Sequence, residues 1–197
     1  DIVVVRGYKK EAVNLPNLTY VDNENFAETG ELDSLFKALQ FRKGQLQSTI
    51  ISYGDVLFNK YIPQSLCQET DDCVIFVDSN WQEQSSYARL GGFTECTIPN
   101  SRKAFNAKIY LKQLGDNLSK ESIHGVWMGF LKVSPNAGTL ITDIIAELLA
   151  KLGNRKAGIP QLLQELLKRQ YPIRVLYTAG HWLDINSLDD VVQAGNF

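Results

Sequence analysis

Two aspartates carry the chemistry that this sequence offers most directly. Asp55 closes Ile50-Ile51-Ser52-Tyr53-Gly54-Asp55, and Asp184 stands in Trp182-Leu183-Asp184-Ile185-Asn186. Each follows an expected β-strand, and open parallel sheets bind ligands at the carboxyl ends of their strands. Gly54, just ahead of Asp55, lets another backbone or a ligand come close. Gly and Asp are also common turn residues, so an ordinary strand-to-turn junction is the competing reading of both segments. Two carboxylates from separate strand ends suit a hard, oxygen-coordinated cation such as magnesium. That ion is commonly held by one or two carboxylates plus substrate phosphates. The chemistry implied is phosphoryl or nucleotidyl transfer, in which positioning and charge neutralisation do most of the catalysis. No Ser/His/Asp or Cys/His set suggests a protein nucleophile.

The elements that must position these residues follow from the apolar pattern. Strands are expected at Ile2–Val5, Leu18–Val21, Thr49–Ser52, Cys73–Val77, Lys108–Leu111, Trp127–Val133 and Ile173–Tyr177. Leu32, Leu35, Phe36 and Leu39 repeat at helical spacing after Thr29, a good N-cap, and this helix is expected to end near Arg42-Lys43-Gly44. A short helix is expected at Ile62–Gln68. Two amphipathic helices, Leu140–Leu152 and Ile159–Leu167, are joined by Gly153–Gly158, with Pro160 in the first turn of the second. A terminal helix runs from Ser187, its cap, to Ala194. Alternation of strands and helices argues for an α/β fold with a mainly parallel sheet. The stretch from 79 to 107 loses the pattern and reads as an excursion or lid within one domain spanning 1–197.

Composition narrows the function. Over 197 residues, 44% hydrophobic and 21% charged content are those of a globular domain able to bury a core. A formal net charge of −2 without a basic block disfavours nucleic acid and anionic membranes as partners. Three cysteines (Cys67, Cys73, Cys96) without Cys-x-x-Cys spacing argue against disulfides or zinc and fit reduced thiols in the cytoplasm. With only His124 and His181, a His-rich metal site is excluded. No apolar run is long enough to span a membrane.

Four segments in order resemble a known family. Asp1–Tyr8 looks like the second sheet strand of the sugar-phosphate nucleotidyltransferase superfamily. Thr29-Gly30-Glu31-Leu32-Asp33-Ser34-Leu35 is similar to its base-recognition loop and following helix. Tyr53-Gly54-Asp55-Val56-Leu57-Phe58 and Gly180-His181-Trp182-Leu183-Asp184-Ile185-Asn186, with Asp189-Asp190 beyond, resemble its two metal-aspartate motifs. With His124–Lys132, the wording is similar to cytidylyltransferase-like domains fused to phosphoenolpyruvate mutases in phosphonate biosynthesis.

The resemblance implies a three-layer α/β/α nucleotide-diphospho-sugar transferase-like fold lacking its first strand and helix. It also implies transfer of a nucleotidyl group, CMP from CTP, to a phosphonate or phosphate acceptor with release of pyrophosphate. Asp55 and Asp184 would hold magnesium, and Thr29, Gly30 and Gly54 would contact the nucleotide. Lys112, Trp127 and Trp182 would contact the acceptor, with Tyr177 a further aromatic wall. Each has a structural alternative: a helix cap for Thr29, a surface cation for Lys112, core packing for the aromatics. The family's glycine-rich triphosphate loop has no counterpart here. A strand and helix on the order of forty residues are expected to precede Asp1. The 197 residues alone are therefore expected not to sustain turnover. The competing class is a non-catalytic ligand-binding or regulatory module.

Overall fold

A computed structural model of the chain describes residues 1–42, 47–83, 92–104, 107–151 and 154–195. In chain order its strands and helices are β1 (Val3–Arg6), β2 (Thr19–Asp22), α1 (Glu31–Phe41), β3 (Thr49–Ile51), β4 (Val56–Phe58), α2 (Tyr61–Gln68) and β5 (Cys73–Asp78). There follow β6 (Phe93–Cys96), β7 (Ile109–Leu114), β8 (Gly125–Val133), α3 (Pro135–Ala150), α4 (Ile159–Lys168), β9 (Arg174–Thr178), β10 (Trp182–Asp184) and α5 (Leu188–Ala194). The chain divides into two compact units, residues 1–47 with 138–165, and 48–137 with 166–197. No helix among the described residues is long and apolar enough to cross a membrane.

In the first unit β1 and β2 pair in parallel, Val3 opposite Thr19 through Arg6 opposite Asp22. Helix α1 buries Leu32 and Leu35, two members of the stripe seen in the sequence. Its N-cap is Gly30, not Thr29. The Thr29 hydroxyl accepts from Asn23 Nδ2 and donates to the Asn25 carbonyl, both at 2.9 Å, so it is committed to the preceding loop. The loop over 25–31 is fastened to 155–159. Gly30 N–H donates to Arg155 O at 2.7 Å, Leu32 N–H to Ala157 O at 3.1 Å, and Ile159 N–H to Glu31 Oε2 at 3.1 Å. Lys156 Nζ adds a bond to the Ala27 carbonyl. Lys43, Gly44 and Gly153, expected at helix ends, lie outside the described residues.

The second unit holds a six-stranded mixed sheet in the order β3-β8-β5-β9-β7-β6. The mixed α/β class expected from the sequence is present, with more antiparallel pairing than alternation alone indicated. Within this sheet β5 and β9 run parallel, and the other pairs are antiparallel. The reason is β8, whose nine buried residues make it a central strand running against both β3 and β5. Strand β6 also pairs with β8, so the β6 end of the sheet curls back. The expected excursion over 79–107 falls only partly on described residues. Phe93–Cys96 belongs to the sheet, while 84–91 and 105–106 lie outside the described residues. One apolar cluster packs Val56, Ile62, Leu66, Val74, Phe76, Val126, Met128, Phe130 and Trp182 together. A buried lysine, Lys132, donates to the Glu69 and Asp71 carbonyls at 3.2 and 2.6 Å, satisfying its charge inside the unit.

Candidate functional site

The two aspartates meet through a short ribbon that the sequence did not reveal. Strand β10 pairs antiparallel with β4, placing Trp182 opposite Phe58, Leu183 opposite Leu57 and Asp184 opposite Val56. The ladder continues at both ends. Ile185 N–H donates to Asp55 O at 2.8 Å, and Asn59 N–H donates to His181 O at 3.0 Å. Asp55 and Asp184 are therefore diagonal neighbours at one end of the ribbon. They differ in exposure: Asp184 is buried beside Val56, whereas Asp55 is exposed in the turn ahead of β4.

Several groups hold this ribbon in place. Asp78, fully buried at the end of β5, accepts from Trp182 Nε1 at 2.8 Å, from Gly180 N–H at 3.0 Å and from Asn80 N–H at 2.9 Å. It fixes both the indole of β10 and the turn that enters it, where Gly180 stands at φ 74°. His181 follows at φ 66°, and its Nδ1 lies 3.2 Å from the Tyr61 hydroxyl, which also bonds Thr178 Oγ1. Beyond β10, Asn186 Nδ2 donates to Asp184 Oδ2. Asp190 accepts from Asn186 N–H at 2.9 Å and from Ser187 N–H at 2.8 Å, closing a capping box on α5. Asp190 is thus a structural cap. On the Asp55 side, the Tyr53 ring sits edge-to-face with Trp127, centroids 5.8 Å apart.

Asp78 and Tyr61 were not singled out in the sequence as site residues. An aspartate at a strand end was the available signal for Asp78. Its partners, 102 and 104 positions away, were not legible.

The remaining expected site residues divide. Gly54 is exposed, and a Cβ built there meets nothing within 4 Å, so no packing within the described residues demands a glycine. Gly30 is the opposite case: its Cβ would lie 2.5 Å from the Ala157 carbonyl oxygen, a close backbone approach that explains the glycine. Trp127 is fully buried, and its Nε1 donates to Phe130 O at 2.8 Å. Trp182 is 2% exposed and bonded to Asp78. Both indole rings are buried in the second unit, with each N–H donated inside it. Tyr177 donates to Ile98 O at 3.0 Å, and burial raises its phenol far above the ordinary range. Lys112, on β7, pairs with Glu95 on β6.

Thr29 and Gly30 belong to the first unit, and the other expected site residues to the second. Thr29 lines a cavity of about 420 Å³ with Asn25, Glu28, Asp33, Leu149 and Arg155. Among the described residues no group of three or more His, Cys, Asp or Glu could hold a metal ion. A cation at Asp55 and Asp184 would take carboxylate oxygens from the protein and the rest of its shell from a ligand. That donor set suits magnesium, which is seldom caged by protein alone.

In sequence, neither a family model nor a curated protein matches this chain. Solved structures do. CTP:phosphocholine cytidylyltransferase from Streptococcus pneumoniae superposes with a TM-score of 0.70 at 15% identity, over 100% of this chain and 77% of that one. The inositol-1-phosphate CTP transferase from T. maritima gives 0.66 at 15% identity, over 95% and 70%. An apo UDP-glucose pyrophosphorylase gives 0.68 at 12% identity, over 98% and 79%. At these identities the likeness speaks for architecture, and the chain has the nucleotide-diphospho-sugar transferase fold.

Proposed function

We propose that this chain is a nucleotidyltransferase domain of a protein that transfers CMP from CTP to a phosphonate or phosphate acceptor, releasing pyrophosphate. The observation that carries the reading is the β4–β10 ribbon, which makes neighbours of two aspartates far apart in sequence. Fold neighbours whose names include two CTP-dependent transferases support it. Choice of CTP and of a phosphonate acceptor, with fusion to a mutase, rests on the resemblance of the sequence segments.

In this reading Asp55 and Asp184 hold magnesium, which when bound would neutralise charge on the nucleotide phosphates and the attacking oxygen. The acceptor oxygen attacks the α-phosphorus in line, so no protein nucleophile is needed. Gly54 leaves open space beside Asp55 for a phosphate to approach. The resemblance assigns Thr29 and Gly30 to the nucleobase, and Thr29 lines the cavity of the first unit. Lys112 contacts the acceptor's anionic group, exchanging its pairing with Glu95 for it.

A ligand that binds the native state alone raises apparent stability. Thermal-shift measurements with CTP, UTP, ATP and dTTP, each with and without magnesium, test the reading. It expects the largest shift with CTP plus magnesium. Equal shifts for all four would remove the base assignment, and no shift with any would overturn nucleotide binding by this chain.

A further inference from the structure

Strand β8 carries a bulge beside the turn that bears Asp55. Ile75 faces Leu131 and Val77 faces Trp127, so Phe76 alone on β5 spans Met128, Gly129 and Phe130 on β8. Gly129 stands at φ 81° at the centre of the bulge. A Cβ there would lie 2.5 Å from Tyr53 Cδ2 and 3.0 Å from Cε2. The ring of Tyr53 is seated on the bare backbone of Gly129. Trp127 packs beside the seat. Its ring meets Tyr53 edge-to-face at 5.8 Å, and its Nε1 bonds the Phe130 carbonyl across the bulge at 2.8 Å. Bulges commonly re-aim a neighbouring side chain, and this one is filled by a ring two residues from an exposed carboxylate.

We propose that Tyr53 is a positioning residue for Asp55: its ring, docked on the Gly129 bulge, fixes the turn that presents the carboxylate to a divalent cation. The role of Asp55 in this statement rests on the function proposed above. Tyr53 acts through the backbone of Gly54 and Asp55. Exposed turns otherwise sample many conformations, and fixing one lowers the ordering cost of binding.

The test uses the full chain with Tyr53→Phe, Tyr53→Leu, Tyr53→Ala and Asp55→Ala. Two readouts are taken: amide hydrogen exchange over 52–58, and Mn²⁺ binding followed by electron paramagnetic resonance with CTP present. The expected result is faster exchange over 52–58 in the Leu and Ala variants. Their half-saturating Mn²⁺ concentration should rise about 10- to 100-fold, with Tyr53→Phe close to wild type. Should Tyr53→Ala not fold, Tyr53→Leu keeps bulk while losing the flat ring and decides the matter. Wild-type exchange and Mn²⁺ binding in Tyr53→Leu would overturn the proposal. If Asp55→Ala leaves Mn²⁺ binding unchanged, the metal role of Asp55 fails, while the exchange data still report whether Tyr53 anchors the turn.

Discussion

The indole nitrogen of Trp182 donates to a carboxylate oxygen of Asp78 at 2.8 Å inside the core. This bond ties β10, and with it Asp184, to the end of β5. The same carboxylate also takes the Gly180 and Asn80 amides. Removing it leaves buried donors without partners, which costs more than the bonds themselves were worth. Asp78→Ala should therefore lower stability by about 2–4 kcal/mol, read from urea unfolding. Amides of β10 should lose exchange protection more than those of β8.

Two glycines should respond oppositely to one extra methyl group. Gly30→Ala drives a Cβ against the Ala157 carbonyl, with the amide of residue 30 already bonded to Arg155. It should cost about 1–3 kcal/mol by equilibrium unfolding. Gly54→Ala meets open space, and its stability should change by less than about 0.5 kcal/mol. Its nucleotide-dependent thermal shift should nonetheless shrink. A stable Gly54→Ala protein with an undiminished shift would show that no ligand approaches there.

The cysteines should separate by burial. Cys67 is exposed, while Cys73 and Cys96 are buried. Burial pushes the Cys73 thiol up to about 12 and raises Cys96 as well. Only a deprotonated, accessible thiol reacts quickly. Native protein at neutral pH should therefore label with iodoacetamide at Cys67, and at all three positions after unfolding. Rapid native labelling of Cys73 would contradict the burial of β5.

The same shift gives a pH dependence with a definite sign. The folded Cys73 thiol holds its proton more tightly than the ordinary value of 9.0. Its contribution is complete below that value and is lost as pH rises toward about 12. Tyr171 acts in the same direction: burial, then its hydrogen bond to Asp72, pushes its phenol from 10.0 up to about 12. Urea midpoints should fall as pH rises through this range. Cys73→Ala should flatten the first part of that fall, leaving the part due to Tyr171.

What the sequence disclosed depended on whether the cause was local. The α5 cap was legible because Ser187 and Asp190 satisfy each other within one turn. The α1 stripe was legible because Leu32 and Leu35 recur at helical spacing. The start of α1 was displaced by one residue. Thr29 spends its hydroxyl on Asn23 and Asn25, and Gly30 is demanded by the 155–157 backbone, a tertiary neighbour. Strand β10 has three residues, too few for a period, and its partner β4 is remote in sequence. Strand β6 is held by β7 and β8, and its four residues do not announce it. Trp127 and Trp182 could not be sorted between a ligand wall and the core without knowing that each indole N–H is satisfied inside. Asp55 and Asp184 were visible as carboxylates near strand ends, but their adjacency is a property of the ribbon.

The central claim is that these two aspartates act together on a nucleotide. It is tested most directly by pyrophosphate release from CTP, with magnesium and a phosphonate acceptor, in the protein that carries this chain. Wild type is compared with Asp55→Ala, Asp184→Ala and the double variant. The account predicts that each single change lowers the rate by at least about a hundredfold. The double variant should be little worse than either, because residues acting as a unit are not additive. Wild-type rates in Asp55→Ala or Asp184→Ala would contradict it.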